Sequence, residues 1–366
     1  MAMKILMVVA HLRRGGLVEV VYNLCARLTE EKNIHLAVLS LRKEPGNSRV
    51  DDFARLGVKV MSLEKTYLSC EVGSCFVTKQ VQRIVDKYAI DIVHCHGYHP
   101  AIVCAGLEKV KKMTTLHDRA TEDFLNAFGP VLGRYMLARY FHALRKFDMN
   151  VAVSESGAQL YHQYLSHVTF VNNGIDTNRF CVANAVTRKT LRERLLISDD
   201  AKVFVTSGRV EREKRCEELV SFFSRQDENN HICLLVLGGG TRLESCKALA
   251  KRCSNIIFTG QVANVSDYLQ CADYYISYSK SEGMSMAVCE AVACGLFPVL
   301  SDIPAHEDLG KPVGAVLFND IEKLDMPYVL SQKYDRGQLH EHIDAGFSVE
   351  SMTDGYVKLY KKLCAE

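Results

Sequence analysis

Asn172–Phe180, reading NNGIDTNRF, interrupts a regular alternation of short apolar runs and longer amphipathic segments, and its Asn, Gly and Asp mark an irregular connection. Upstream, Ile5–Val9, Ile34–Leu39, Val58–Met61, Ile90–Val93, Met113–Leu116, Asn150–Val153 and Val168–Val171 are strand candidates, with helical stretches such as Val18–Leu28 and Val77–Tyr88 between several of them. Downstream, beyond a charged stretch ending near Asp200, a second series follows: Val203–Ser207, Ile232–Leu237, Ile256–Phe258, Tyr274–Ser277, Pro298–Ser301 and Val316–Phe318. Strands alternating with helices predict a parallel, doubly wound sheet. The chain therefore carries one α/β architecture twice, joined at this segment.

Length agrees with that division. A chain of 366 residues is too long for one ordinary core and suits two domains. We place them at residues 1–175 and 176–347, with a C-terminal helix over residues 348–366. Val349, Met352, Tyr356, Val357, Leu359, Tyr360 and Leu363 follow a mostly helical spacing, and lysines occupy the other side.

Composition narrows the class. The chain is 48% hydrophobic and 24% charged, as globular proteins are, and a net charge of +2 supplies no global field for nucleic acid. The fourteen cysteines show neither a CxxC pair nor a zinc spacing, which suits free thiols in a reducing, cytoplasmic setting. Ile5–Ala10 is far shorter than the roughly 20 residues needed to cross a bilayer and reads as a buried first strand.

The densest local signal is Ser281–Gly295, SEGMSMAVCEAVACG, with carboxylates at Glu282 and Glu290. Glu282 and Gly283 fall in a loop after Tyr274–Ser277, and Ser285 is a candidate cap for a helix running to Ala293. Backbone N–H groups at Met284, Ser285 and Met286 then suit phosphate oxygens, while the carboxylates accept hydrogen bonds from sugar hydroxyls. The competing reading is a helix with one surface Glu and one fortuitous loop Glu. Arg209 and Lys214 follow Val203–Ser207 at its carboxyl end, where α/β folds place ligands; the same charges also read as a solvated turn.

His94, His96, His99 and His117 crowd one stretch, but no H-E-x-x-H helix or evident third ligand accompanies His94-x-His96, so no metal site is assigned. His117, at the end of Met113–Leu116, is the functional candidate among them. Gly238-Gly239-Gly240 lacks the complete dinucleotide spacing and reads as a tight turn. With no D-x-D triplet in the chain, no divalent cation is implied. Gly129–Lys146 winds into a two-faced helix: Arg134, Arg139, His142, Arg145 and Lys146 gather on one face, and Met136, Leu137, Tyr140, Phe141 and Leu144 on the other. That basic face suits an acceptor phosphate, an anionic bilayer or plain solvent.

Five segments in order resemble the family 4 retaining glycosyltransferases of GT-B fold. Ser281–Gly295 with Phe297–Leu309 is similar to the family's E-x7-E region, and Gly208-Arg209 followed by Glu213-Lys214-Arg215 to its "GR…EK" segment. Val171–Phe180 is similar to the interdomain segment, Thr115–Asp118 (TLHD) to the acceptor-side histidine motif, and Gly15-Gly16 to the donor-phosphate loop. Met284, Ser285 and Met286 stand where the family often has Phe-Gly-Leu.

The resemblance implies two Rossmann-like domains facing across a cleft, with the C-terminal helix returning to the N-terminal one. It further implies retaining, metal-independent transfer of a sugar from a nucleotide-diphosphate sugar to a saccharide or lipid-linked saccharide, in cell-surface polysaccharide or lipopolysaccharide biosynthesis. Arg209 and Lys214 are then expected on the diphosphate, Glu290 on the ribose, Glu282 on the donor sugar and His117 toward the acceptor. Gly15, Gly16, Gly208, Val262, Gly283, Met284, Ser285 and Met286 complete the donor-binding set, and Arg134, Arg139 and Arg145 are the acceptor or membrane candidates. The alternatives are a nucleotide-sugar epimerase of the same architecture and a non-catalytic binding protein, since a fold alone fixes no function. The expected location is cytoplasmic, with peripheral contact at the inner membrane face for a lipid-linked acceptor.

Overall fold

The computed structural model describes residues 2–117, 119–226 and 232–365, so Asp118 of the TLHD motif lies outside the described residues. The chain forms two compact units, one of Met1–Gly174 with Val349–Glu366 and one of Ile175–Ser348.

The first unit holds a seven-stranded parallel sheet. Its strands are β1 (Met3–Val9), β2 (Ile34–Arg42), β3 (Lys59–Lys65), β4 (Ile92–His96), β5 (Lys111–Leu116), β6 (Met149–Ala152) and β7 (Val168–Phe170), in the order β3-β2-β1-β4-β5-β6-β7. The order reverses between β1 and β4, the place where doubly wound sheets open a ligand crevice at their carboxyl ends. Ile5–Val9 of β1 is wholly buried, which is why it reads as an unbroken apolar run.

β4 runs past the expected Val93 to include His94, Cys95 and His96, because β1 and β5 pair with it on both sides. Polar residues in a central strand must then find internal partners. The C-terminal helix Val349–Ala365 supplies two. Tyr360 Oη lies 2.7 Å from His94 Nδ1, and Tyr356 Oη lies 2.8 Å from Thr115 Oγ1, which also meets His94 Nε2 at 2.8 Å. That helix buries Met352, Tyr356, Tyr360 and Leu363 in this unit.

The second unit holds six parallel strands: β8 (Lys202–Ser207), β9 (Ile232–Leu237), β10 (Ile256–Gly260), β11 (Tyr274–Ser277), β12 (Phe297–Ser301) and β13 (Val316–Phe318). Their order, β10-β9-β8-β11-β12-β13, reverses between β8 and β11. All six residues of β9 are buried. Both units thus have the doubly wound topology, and each has its own core.

The expected helix Gly129–Lys146 is part of a longer run, Ala120–Leu144, broken at Gly129, whose φ of 74° only glycine adopts at low cost. The two halves pack on each other, since a Cβ on Gly133 would come within 2.6 Å of the Phe124 carbonyl oxygen. Met136, Tyr140, Phe141 and Leu144 are buried as expected, and Leu137 is partly so. The basic face needs a correction: Arg139 turns inward, donating to Glu71 Oε1 at 2.7 Å and Ser74 Oγ at 3.2 Å, so only Arg134, His142, Arg145 and Lys146 are exposed.

Candidate functional site

The carboxyl ends of β8 and β11 frame a small cavity in the second unit, lined among others by Gly208, Arg209, Lys214, Ser279, Glu282 and Ser285. A neighbouring cavity of about 290 Å³ shares Gly208 and Arg209 and adds Gly238, Gln261, Val262 and Glu290. Residues spread over more than eighty positions of sequence therefore meet at one switch point, for the reason that strand order reverses there.

Backbone economy shapes the walls. Gly208, with φ 134°, donates its N–H to the Leu237 carbonyl, and Val210 donates to that of Gly239. The loops after β8 and β9 are thus in direct contact, and a Cβ on Gly240 would stand 2.4 Å from the Val210 carbonyl oxygen. The triple glycine, read from sequence as a tight turn, is the close approach of two loops. Three consecutive glycines at a strand end were the available signal.

Lys214 and Glu282 form an ion pair, with the ammonium on Oε1 of the carboxylate. Ser279 Oγ donates to the same oxygen at 2.8 Å. The two groups expected on different parts of one donor molecule thus also hold each other. Below them, Ser301 Oγ donates to the Ser279 carbonyl at 2.7 Å, and the fully buried His306 donates from Nδ1 to the Ser301 carbonyl at 3.0 Å. Burial moves the His306 imidazole below its usual range, against the opposing pull of Glu282. Tyr275 forms part of the floor, its hydroxyl donating to the Ser207 carbonyl at 3.3 Å, and burial pushes that phenol well up. Ser279, Tyr275, Gln261 and His306 were not singled out in the sequence, because isolated Ser, Tyr, Gln and His carry no spacing signal.

Ser285 stands at the N-cap of the helix Met286–Ala293, but its side chain makes no capping hydrogen bond. The residue lines the first cavity and is only 4% exposed. Gly283, Met284 and Met286 line neither of these two cavities, and Met284 is buried.

The remaining candidates belong to the first unit. Gly15 is the N-cap of the helix Gly16–Leu28, which follows β1. His117 follows β5, and its Nε2 lies 3.0 Å from Nδ1 of His96. Burial pushes His117 down to about 4 and, with the His117 charge, His94 down to about 3; burial, with the His94 and His117 charges, also holds His96 well below its usual range. All three are therefore neutral imidazoles at neutral pH. Among the described residues, no three His, Cys, Asp or Glu side chains are grouped to hold a metal ion, and no helix is long and apolar enough to cross a membrane.

Comparison with known proteins bears on this arrangement. The model described as "Glycosyltransferase Family 4" matches residues 14–179, and that described as "Glycosyl transferases group 1" matches residues 187–314. An alpha-monoglucosyldiacylglycerol synthase of Streptococcus pneumoniae is 26% identical over 237 residues, covering 60% of this chain and 53% of that protein. The O-antigen biosynthesis glycosyltransferase WbnH of Escherichia coli is 30% identical over 156 residues, covering 43% of this chain and 44% of its own length. The chain thus spans about half the length of these curated relatives. The fold is also that of Anabaena HepE, solved in complex with UDP, with a TM-score of 0.82 at 13% identity over 98% of this chain and 100% of that one.

Proposed function

Because the chain belongs to the family 4 glycosyltransferases of GT-B fold, we propose that it transfers a glycosyl group, with retention, from a nucleotide-diphosphate sugar to a saccharide or lipid-linked saccharide acceptor. The observation that carries this reading is the paired cavity at the β8/β11 switch point, where Arg209 and Lys214 stand beside Glu282 and, through shared walls, Glu290. Arg209 and Lys214 stabilise the departing diphosphate as charge develops on it, Lys214 acting strongly because Glu282 holds it in place before the reaction. They supply the role that a divalent ion would otherwise take, so no metal is required. Glu282, oriented by Lys214 and Ser279, accepts from donor-sugar hydroxyls, and Glu290 accepts from the ribose.

The HepE structure, solved in complex with UDP, and the relatives named for O-antigen and glycolipid synthesis support a nucleotide donor and a cell-surface saccharide acceptor. A lipid-linked acceptor finds further support in the exposed turn of the broken helix, where Val131 is 84% exposed beside Leu132, Arg134 and Tyr135. The test is nucleotide release from UDP-glucose, UDP-galactose and GDP-mannose, with and without saccharide and lipid-linked acceptors. Release that depends on acceptor is expected. Interconversion of the sugar without acceptor would identify an epimerase, and binding without turnover of any donor a carrier.

A further inference from the structure

We propose that Arg215 is a positioning residue for the Lys214–Glu282 pair, an inference that rests on reading that pair as part of the donor site. Arg215 adopts the left-handed conformation, with φ 49° and ψ 38°, at the junction between the turn Arg212–Lys214 and the helix Cys216–Phe223. Glycine takes such positions without steric cost, whereas a residue with a Cβ keeps them only when its surroundings hold it there. Here the side chain does the holding. Its Nε donates to the Tyr278 carbonyl at 2.8 Å, Nη2 donates to the Ser279 carbonyl at 3.3 Å, and the guanidinium lies 3.6 Å from the centre of the Tyr278 ring.

Those two carbonyls belong to the segment that leaves β11 and leads to Glu282. Three successive residues of the turn are thereby tied to it. Glu213 accepts from the Lys280 N–H through its carbonyl at 2.9 Å, Lys214 meets Glu282, and Arg215 clamps Tyr278 and Ser279. Ser279 in turn donates from its hydroxyl to Glu282, so the clamp on its carbonyl sets the carboxylate's second partner as well. The planar fork reaches two acceptors and a ring face at once, which a lysine ammonium does not reproduce. Arg215 itself is absent from the lining of both cavities, and it acts through Lys214 and Glu282.

The experiment compares Arg215→Gly, which keeps the left-handed backbone and deletes the clamp, with Arg215→Lys. First, the coupling between Lys214 and Glu282 is measured in the free protein by chemical denaturation, using Lys214→Ala, Glu282→Ala and the double variant, in each Arg215 background. The coupling is expected to fall by at least half in Arg215→Gly and to be partly restored in Arg215→Lys. An unchanged coupling in both overturns the proposal, whatever reaction the protein catalyses. Second, with the nucleotide sugar that scores in the release panel, Arg215→Gly should lower kcat on the order of 10- to 100-fold in the parent and less than twofold in Lys214→Ala. Equal losses in both backgrounds would show that Arg215 serves stability alone. No turnover of any donor would sink the functional reading while leaving the denaturation cycle to decide the role of Arg215.

Discussion

A Cβ on Gly238 would stand 1.9 Å from the carbonyl oxygen of Gly208, so the loops after β8 and β9 touch through bare backbone at the wall of the switch-point cavity. Gly238 also has φ 132°, a conformation closed to other residues. Gly238→Ala is expected to cost about 3 kcal/mol or more, because backbone must shift. Gly239→Ala, where nothing lies within 4 Å of the added atom, should stay within about 1 kcal/mol of the parent. Urea denaturation of the two variants makes the comparison, and equal stability would mean that the loops are not in contact.

Arg209→Ala and Lys214→Ala should each weaken transition-state binding by about 2 to 4 kcal/mol, read as kcat/KM. The carboxylates should separate kinetically: Glu282→Gln lowers kcat, whereas Glu290→Gln raises the donor KM. Unchanged kcat/KM in both cation variants would remove the diphosphate assignment, and matching kinetic signatures for the two Gln variants would remove the other.

The buried histidines predict an acid-sensitive first unit. His94 and His117 are held near 3 and 4 in the folded protein against a usual value of 6.5, chiefly by burial, and His96 is lowered likewise. Below 6.5 the unfolded chain therefore binds protons that the folded one does not. The stability these groups allow is fully present above pH 6.5 and is lost as pH falls toward 4, at about 1.4 kcal/mol per pH unit for each histidine. Urea midpoints measured between pH 7 and pH 5 should fall accordingly, with a shallower slope in His117→Gln. A flat profile would contradict the buried, neutral assignment.

Arg139 and its neighbours on the same helix should behave differently. Arg139→Gln removes a charge-assisted contact to the largely buried Glu71 and is expected to cost about 1.5 to 3 kcal/mol in stability. Arg134→Gln with Arg145→Gln should leave stability within about 0.5 kcal/mol while weakening co-sedimentation with anionic vesicles, each cation near such a surface contributing about 1 kcal/mol. Binding should vanish in high salt. Parental co-sedimentation by the Arg134/Arg145 variant would mark those cations as simply solvated.

Transfer is expected to survive EDTA, because on the proposed reading Arg209 and Lys214, which line the same cavity, carry the positive charge assigned to the diphosphate. Loss of activity on chelation, restored by manganese, would overturn that expectation.

The sequence by itself determined the thirteen strands of the described residues and the doubled architecture. Strands buried on both faces must be continuous apolar runs, as Ile232–Leu237 is, and that requirement is local enough to read off the chain. It also placed Arg209, Lys214, Glu282 and Glu290 after strands whose carboxyl ends border the two cavities at the switch point. Which groups face one another was decided only in three dimensions. Lys214 meets Glu282 across 68 positions, and Arg139 meets Glu71 across the same number. Nothing in helical periodicity distinguishes Arg139 from Arg134, because a helix wheel orders residues around one axis and is silent about the neighbouring helix that carries Glu71. The same limit hid the role of Gly238 and of Arg215. Each is set by a loop from a different strand, brought close by the sheet's order rather than by anything adjacent in the chain.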